Sequence, residues 1–267
     1  MKAIKGVGLS DVKAIYDGPV GDLWELVMGQ QIHIGGFASS MELAKAANVG
    51  PGQFGIDLCC CSGAGMRFLT RFANVDKMHG VDATENVINR GINRNHEERL
   101  SERINFSVAD ACETGLDSEQ ADFVWGEDAW CYVENKPALI SEAARLTKPG
   151  GTIAFTDWVL GDEEMTDDEA QRFLNFMKFP NIESIKGYKK LLIDNGCKII
   201  EARPTGRYAE CIDLYIDMLN KQLTYDALKI INFDMTMMTQ LGEEMAFIQN
   251  LAHANKITQG LFVARKK

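Results

Sequence analysis

Acidic residues stand at the ends of successive apolar runs, and this is the pattern in the chain that can do chemistry. Asp57 leads the stretch Asp57-Leu58-Cys59-Cys60-Cys61-Ser62-Gly63-Ala64-Gly65, where an apolar run gives way to small residues and then to helix-like sequence. Small side chains at a strand-to-helix turn let a nucleotide-like ligand approach the backbone. The spacing matches an acidic-x-Gly-x-Gly-x-Gly turn in which Cys59 and Cys61 replace two glycines. The expectation is that both occupy positions with no strict need for a positive φ.

Asp82 ends the second run, roughly 20 residues beyond the turn, where a carboxylate can accept hydrogen bonds from both hydroxyls of a ribose. Asp110, in Ala109-Asp110-Ala111, follows the third run and can accept the exocyclic amine of an adenine. Trp125-Gly126-Glu127-Asp128-Ala129 follows the fourth. His33 lies in the Gly-rich stretch Gly29–Phe37 and can bond to backbone there. Tyr16, Tyr132, His33 and Asp128 are the groups able to orient an acceptor or take its proton. Trp24, Trp130 and Trp158 can cradle a quaternary ammonium by cation–π contact. Arg207 and Arg203 can pair with an acceptor carboxylate or phosphate.

These residues need a scaffold of alternating strands and helices. Strand-like runs at Phe54–Leu58, Met78–Asp82, Ile104–Ala109, Ala121–Trp125, Gly151–Asp157 and Lys198–Ala202 alternate with helical spacing at Met66–Phe72, Glu85–Leu100, Lys136–Leu146 and Ile185–Asn195, with a further helix at Asp168–Phe176. Lys148-Pro149-Gly150 reads as a turn. This rhythm implies an α/β fold with a doubly wound, mostly parallel, seven-stranded sheet closed by Thr258–Ala264. Two short helices broken at Gly18-Pro19 precede it, followed by one capped by Ser39 or Ser40. Ala209–Ala254 is helical throughout. The expected division is an N-terminal helical lid over 1–48, an α/β core over 49–204, a helical cap over 205–257 and a closing strand over 258–267. Met235, Met237, Met238 and Met245 either line a pliable wall or fill the cap's own core, the latter being the simpler reading.

With 267 residues, 46% hydrophobic and 25% charged, the chain can bury a substantial core. A net charge of −10 argues against a nucleic-acid-binding surface. Neither a leader-like apolar segment nor a membrane span is evident, so a soluble, cytoplasmic protein with a small-molecule partner is expected. Seven cysteines, three of them consecutive, fit neither a disulfide framework nor a zinc site, so reduced thiols and no metal are expected.

Taken together with Leu146-Thr147-Lys148-Pro149-Gly150-Gly151, the four acidic strand ends resemble the class I S-adenosylmethionine-dependent methyltransferases over roughly residues 50 to 160, a Rossmann-like fold. Tyr16, the segment Leu23–Gly36 and the ending Thr258–Lys266 further resemble the sarcosine/dimethylglycine and phosphoethanolamine N-methyltransferases. The resemblance implies S-adenosylmethionine as cofactor. It implies that Tyr16 closes over the site while Ile32 and His33 touch the methionine portion. Asp57, Cys59, Cys61 and Gly63 would shape the turn beneath it, Asp82 and Ala83 would hold the ribose, and Asp110 and Ala111 would flank the adenine. Glu127 would join the cofactor contacts, Asp128 would lie beside the sulfonium, and Gln31 would face the acceptor.

Tyr132 occupies a position where that family usually carries histidine. The expected activity is methyl transfer to a small amine, with a sarcosine/dimethylglycine-type acceptor ahead of phosphoethanolamine. A thiol, metalloid, oxygen or carbon acceptor is the alternative, on account of Cys59–Cys61, Cys112 and Cys131. A non-catalytic cofactor-binding protein, suggested by the altered glycine turn, is the reading from a different class. A homodimer is compatible with each.

Overall fold

A computed structural model describes residues 1–267. In chain order the elements are β1 (Lys2–Ala3), α1 (Leu9–Tyr16), α2 (Pro19–Met28), α3 (Gly36–Ala47), β2 (Phe54–Leu58), α4 (Ala64–Phe72), β3 (Lys77–Asp82), α5 (Glu85–Glu97), β4 (Ile104–Val108) and β5 (Ala121–Glu127). A short 3-10 turn at Trp130–Tyr132 follows. Then come α6 (Lys136–Leu146), β6 (Thr147–Leu160), α7 (Asp167–Met177), β7 (Asn181–Ser184), α8 (Ile185–Asp194), β8 (Cys197–Pro204), α9 (Tyr208–Lys221), α10 (Thr224–Ile230), α11 (Met235–His253) and β9 (Ile257–Lys266).

The principal sheet runs β4-β3-β2-β5-β6-β9-β8, with β2 through β6 mutually parallel and β9 antiparallel to both β6 and β8. This is the expected doubly wound order, reversing direction at β2 and β5. Loops leaving the carboxyl ends of those two strands diverge to opposite sides and open a crevice. Apolar side chains pack on both faces of the sheet. Leu58, Val124 and Phe155 meet Leu139 and Ile140 of α6 and Leu192 of α8, while Phe123 and Trp125 meet Leu43 of α3 and Met66 and Phe68 of α4. Each fully buried side chain of this kind contributes about 1.5–3 kcal/mol.

Beyond these seven strands, two short ones join the sheet. β6 outruns β5, and the edge left free at Val159–Leu160 is taken by β7, on which β1 then lies antiparallel. Extending an unpaired edge in this way satisfies its backbone groups. The Lys148-Pro149-Gly150 turn is instead an irregularity within β6, where the register against β5 slips between Ala121 and Phe123 and Gly150 takes φ 75°. Helix α3 starts at Gly36 behind a left-handed Gly35, so Ser39 and Ser40 do not cap it but lie buried inside its first turns.

Helices α1 and α2 lie over the crevice and are tied to α5. Arg94 pairs with Glu25 at 2.5 Å, Arg90 pairs with Asp22 at 3.0 Å and donates to the Tyr16 carbonyl at 3.1 Å, and Asn86 donates to Asp17 at 2.9 Å. Partly exposed pairs of this sort contribute about 0–1 kcal/mol each. Helices α9–α11 pack on α2 and α7 and contribute nothing to the cavity walls. Met245 is core, Met237 and Met238 pack beside Leu23 and Ala227, and Met235 is exposed, so the pliable-wall reading of these methionines is set aside. No helix is long and apolar enough to cross a membrane.

Candidate active site

The crevice holds a cavity of about 350 Å³ whose wall includes Asp57, Cys59, Cys60 and Cys61 from the turn after β2, and Asp82 and Ala83 from the end of β3. Asp110 and Ala111 follow β4 on the same wall, Glu127 and Asp128 follow β5, and Tyr16, Gln31, Ile32 and His33 come from the lid. Gly63 is not on the wall. At φ 76° it precedes α4, and a side chain there would meet the Phe106 ring at 2.7 Å. Gly65 inside α4 clears space for Glu127, whose Oε2 would lie 2.7 Å from a Cβ at that position.

The cysteines correct the sequence reading. Cys59 has φ 63° and Cys61 φ 48°, so both occupy the left-handed region that glycine adopts freely. The turn survives the substitution because its backbone is held from β3, Cys61 N–H donating to Asp82 Oδ2 at 2.9 Å and Cys60 N–H to the Val81 carbonyl at 3.1 Å, and is closed on itself by Gly63 N–H donating to the Cys60 carbonyl at 2.8 Å. Burial pushes all three thiols upward, Cys61 to about 12, so they are neutral side chains at physiological pH. No group of three or more His, Cys, Asp or Glu residues is placed to hold a metal ion.

A simple exchange measures this strain. Cys61→Gly relieves about 1 kcal/mol of left-handed strain while adding a similar entropy to the unfolded chain, so unfolding free energy is expected to change by less than about 1 kcal/mol. Cys61→Val, β-branched at positive φ, is expected to cost about 2 kcal/mol. Thermal melts of the two variants distinguish these outcomes, and a Gly variant that melts as low as the Val variant would show that the thiol itself holds the turn.

Asp82 spends one oxygen on each of two backbone donors, Cys61 N–H and Thr84 N–H, both at 2.9 Å, leaving further lone pairs facing the cavity. Asp110 accepts from Cys112 N–H at 2.8 Å. Asp57 is buried, and its pKa is raised well above the usual carboxylate range by desolvation and then by Glu127 and Asp82. The wall thus gathers six carboxylates, Asp57, Asp82, Asp110, Glu127, Asp128 and Glu134, with no lysine or arginine among them. Such a cradle suits a ligand carrying positive charge and a ribose.

A side cavity of about 20 Å³ shares Tyr16, Ile32, His33, Asp128 and Tyr132 with the first and adds Trp24, Met28, Trp158, Met177 and Phe179. The Tyr16 hydroxyl donates to that of Tyr132 at 3.2 Å, closing α1 onto the segment after β5. Burial raises the pKa of both phenols. Asp128, with φ 51°, is 5% exposed, and its carboxylate accepts from Ile34 N–H at 2.8 Å and from the Gln259 amide at 2.8 and 3.0 Å. His33 is likewise engaged: Nε2 lies 3.1 Å from Ser40 Oγ and 3.4 Å from Glu127, and Nδ1 lies 3.4 Å from the Ile34 carbonyl. Ser40 donates to Glu127 at 2.6 Å, and Gln31 to Ser40 at 3.2 Å.

Two sets of expected acceptor contacts are not brought to the site. Trp130 is fully buried, stacked on Phe155 at 4.1 Å, with its indole N–H donating to the Leu58 carbonyl and its ring lying on Gly126. Its place in the core follows from the glycine beneath it. Arg207 pairs with Glu42, as does Arg203 at 2.5 Å, and neither lines the main or the side cavity. Two residues not foreseen, Ser40 and Gln259, complete the network. Gln259 has a legible signal as a fully buried amide beside the apolar run of the closing strand, whereas Ser40 is of a type that reads as a helix cap.

Comparison with known proteins agrees with this geometry. Residues 56–155 match the protein family described as a methyltransferase domain. The chain is 24% identical over 203 residues to phosphoethanolamine N-methyltransferase 3 of Arabidopsis thaliana, covering 74% of this chain and 40% of that protein. It superimposes on a putative sarcosine dimethylglycine methyltransferase from Galdieria sulphuraria with a TM-score of 0.75 at 21% identity, over 86% and 84% of the two chains. A Haemonchus contortus phosphoethanolamine N-methyltransferase 2, solved with phosphomonomethylethanolamine and S-adenosylhomocysteine, gives a TM-score of 0.82 at 19% identity over 94% of this chain and 59% of that one. The chain spans only 33–40% of the length of the Arabidopsis thaliana and Caenorhabditis elegans phosphoethanolamine N-methyltransferases it matches.

Proposed function

We propose that the chain, whose residues 56–155 match a methyltransferase domain and whose structural relatives are solved with S-adenosylmethionine or S-adenosylhomocysteine, transfers a methyl group from S-adenosylmethionine to the nitrogen of a small amine that bears no phosphate or carboxylate. The observation that carries this reading is the lining of the side cavity: aromatic residues Tyr16, Trp24, Tyr132, Trp158 and Phe179, one carboxylate, Asp128, one imidazole, His33, and no arginine or lysine. Aromatic faces favour a cationic or cation-forming group, whereas an anionic tail would be buried without a partner. Sarcosine, dimethylglycine and phosphoethanolamine are the weaker candidates on this ground, since Arg207 and Arg203 are committed to Glu42.

The carboxylates of the main cavity fit the cofactor. Asp82 would hold its ribose, Asp110 with Ala111 would flank the adenine, and Asp57 and Glu127 would face its ammonium. When bound, the cofactor supplies a methyl group on an already activated carbon. The chain's own task is then to align the acceptor and exclude water. Tyr16 and Tyr132 close the roof with neutral hydroxyls, and Ile34 and Gln259 hold Asp128 in place. None of these groups is free to act as a strong base. A hydroxyl acceptor needs such a base, whereas an amine arrives with its own lone pair, and this favours nitrogen over oxygen.

The test is a set of matched acceptors incubated with methyl-labelled S-adenosylmethionine: dimethylethanolamine, its phosphate ester, dimethylglycine, a phenol and a thiol. The neutral-tailed amine is expected to exceed its anionic counterparts in kcat/KM by at least about tenfold, the effect of roughly 1.4 kcal/mol. Exclusive methylation of the phosphorylated or carboxylated amines would overturn the acceptor class, and exclusive methylation of the phenol or thiol would overturn nitrogen.

A further inference from the structure

Behind the site lies a group of buried charges that touches no cavity wall. Asp157, toward the carboxyl end of β6, is 0% exposed, and Lys136, in the first turn of α6, is 1% exposed. Asp157 Oδ1 accepts the Cys131 N–H at 2.9 Å, and its Oδ2 accepts the Tyr188 hydroxyl at 2.6 Å. Lys136 Nζ donates to the Val133 carbonyl at 2.5 Å and to the Cys131 carbonyl at 3.3 Å. A carboxylate from the sheet and an ammonium from α6 therefore hold the N–H and C=O groups of one short backbone segment, with α8 steadying the carboxylate from behind.

Burying two charges costs several kcal/mol, and their attraction offsets this without adding net stability, so their use is more readily found in fixing one conformation. The segment needs fixing. It is entered through Asp128 in the left-handed region, and Tyr132 on it must meet Tyr16 across the cavity at 3.2 Å. Burial lowers the pKa of the Lys136 ammonium, while the negative charge of Asp157 opposes that shift.

We propose that Lys136, Asp157 and Tyr188 are positioning residues that clamp the 128–133 segment so that Tyr132 is set for the acceptor. The kinetic part of this inference rests on the amine-methyltransferase reading above; the backbone part does not. Hydrogen exchange on the full chain, saturated with S-adenosylmethionine, compares wild type with Lys136→Met and Tyr188→Phe. Lys136→Met is expected to speed exchange in a peptide covering 129–135 by about tenfold, with β2 and α5 unchanged, because only local opening is eased. Acceptor kcat/KM is expected to fall at least about tenfold while the cofactor Kd stays within about twofold, the pattern of lost alignment.

Tyr188→Phe keeps the ring that packs edge-on against Phe155 and Phe262. It is expected to show the same pattern at about threefold, and it carries the test if Lys136→Met does not fold. Wild-type exchange over 129–135 in the folded variants overturns the proposal, as does a lowered Tm with unaltered acceptor kinetics. If the wild-type chain methylates no amine, the proposed function has failed and the exchange measurement alone decides the clamp.

Discussion

Asp82→Ala is expected to weaken S-adenosylmethionine binding by about 10- to 100-fold, since losing a charged hydrogen-bond acceptor costs about 1.5–3 kcal/mol and each 1.4 kcal/mol is tenfold. Two losses coincide at this residue. On the proposed reading its carboxylate is the acceptor presented to the ribose, and it also ties down Cys61 N–H and Thr84 N–H. The first of these bonds restrains a cysteine at φ 48°, so the turn loosens as the ribose contact goes. Titration calorimetry of the folded variant reads the effect. Undiminished affinity would show that the ligand does not engage the end of β3.

Gln259→Leu is expected to lower acceptor kcat/KM by about 100-fold, the effect of misplacing reacting groups by about 1 Å, and to cost about 1–3 kcal/mol of stability. The Gln259 amide reaches both oxygens of Asp128 and the Ile34 carbonyl, so this one side chain joins the closing strand, the lid loop and the segment after β5. Leucine would leave a buried carboxylate supported only by the Ile34 N–H. Asp128→Asn makes the informative contrast. Gln259 Oε1 has no partner, so an amide flip can offer it to an asparagine N–H, and the seal is expected to persist while the negative charge is lost. Melting temperatures close to wild type for Asp128→Asn, and clearly lower for Gln259→Leu, are the expected result. Equal melting temperatures would deny Gln259 its tethering role.

The parts of this molecule legible in the sequence are those governed by local periodicity. Period-2 and period-3.6 patterns located the strands and helices around the crevice because buried faces dictate residue type at each step. Asp57, Asp82, Asp110 and Asp128 could be picked out because strand ends in such a sheet converge on one crevice.

What escaped were features settled by distant partners. Gln259 and Asp128 are 131 positions apart. Ser40 has a cap-forming side chain, yet Gly35 starts α3 and turns that hydroxyl toward Glu127. Trp130 has the composition of an aromatic cage, but the glycine at 126 draws it into the core. The backbone at Cys59 and Cys61 was misjudged because residue size was taken to decide, whereas hydrogen bonds from outside the turn hold a conformation those residues would not choose. β7 was missed because four residues carry little pattern, and the edge that recruits it belongs to β6.

The most direct test of the central claim is a single-turnover reaction in which the purified chain, in excess over methyl-labelled S-adenosylmethionine, is mixed with dimethylethanolamine and the label is followed. The account predicts stoichiometric appearance of label on nitrogen together with S-adenosylhomocysteine. Label that stays on tightly bound S-adenosylmethionine, with this amine and with its phosphorylated and carboxylated counterparts, would contradict it.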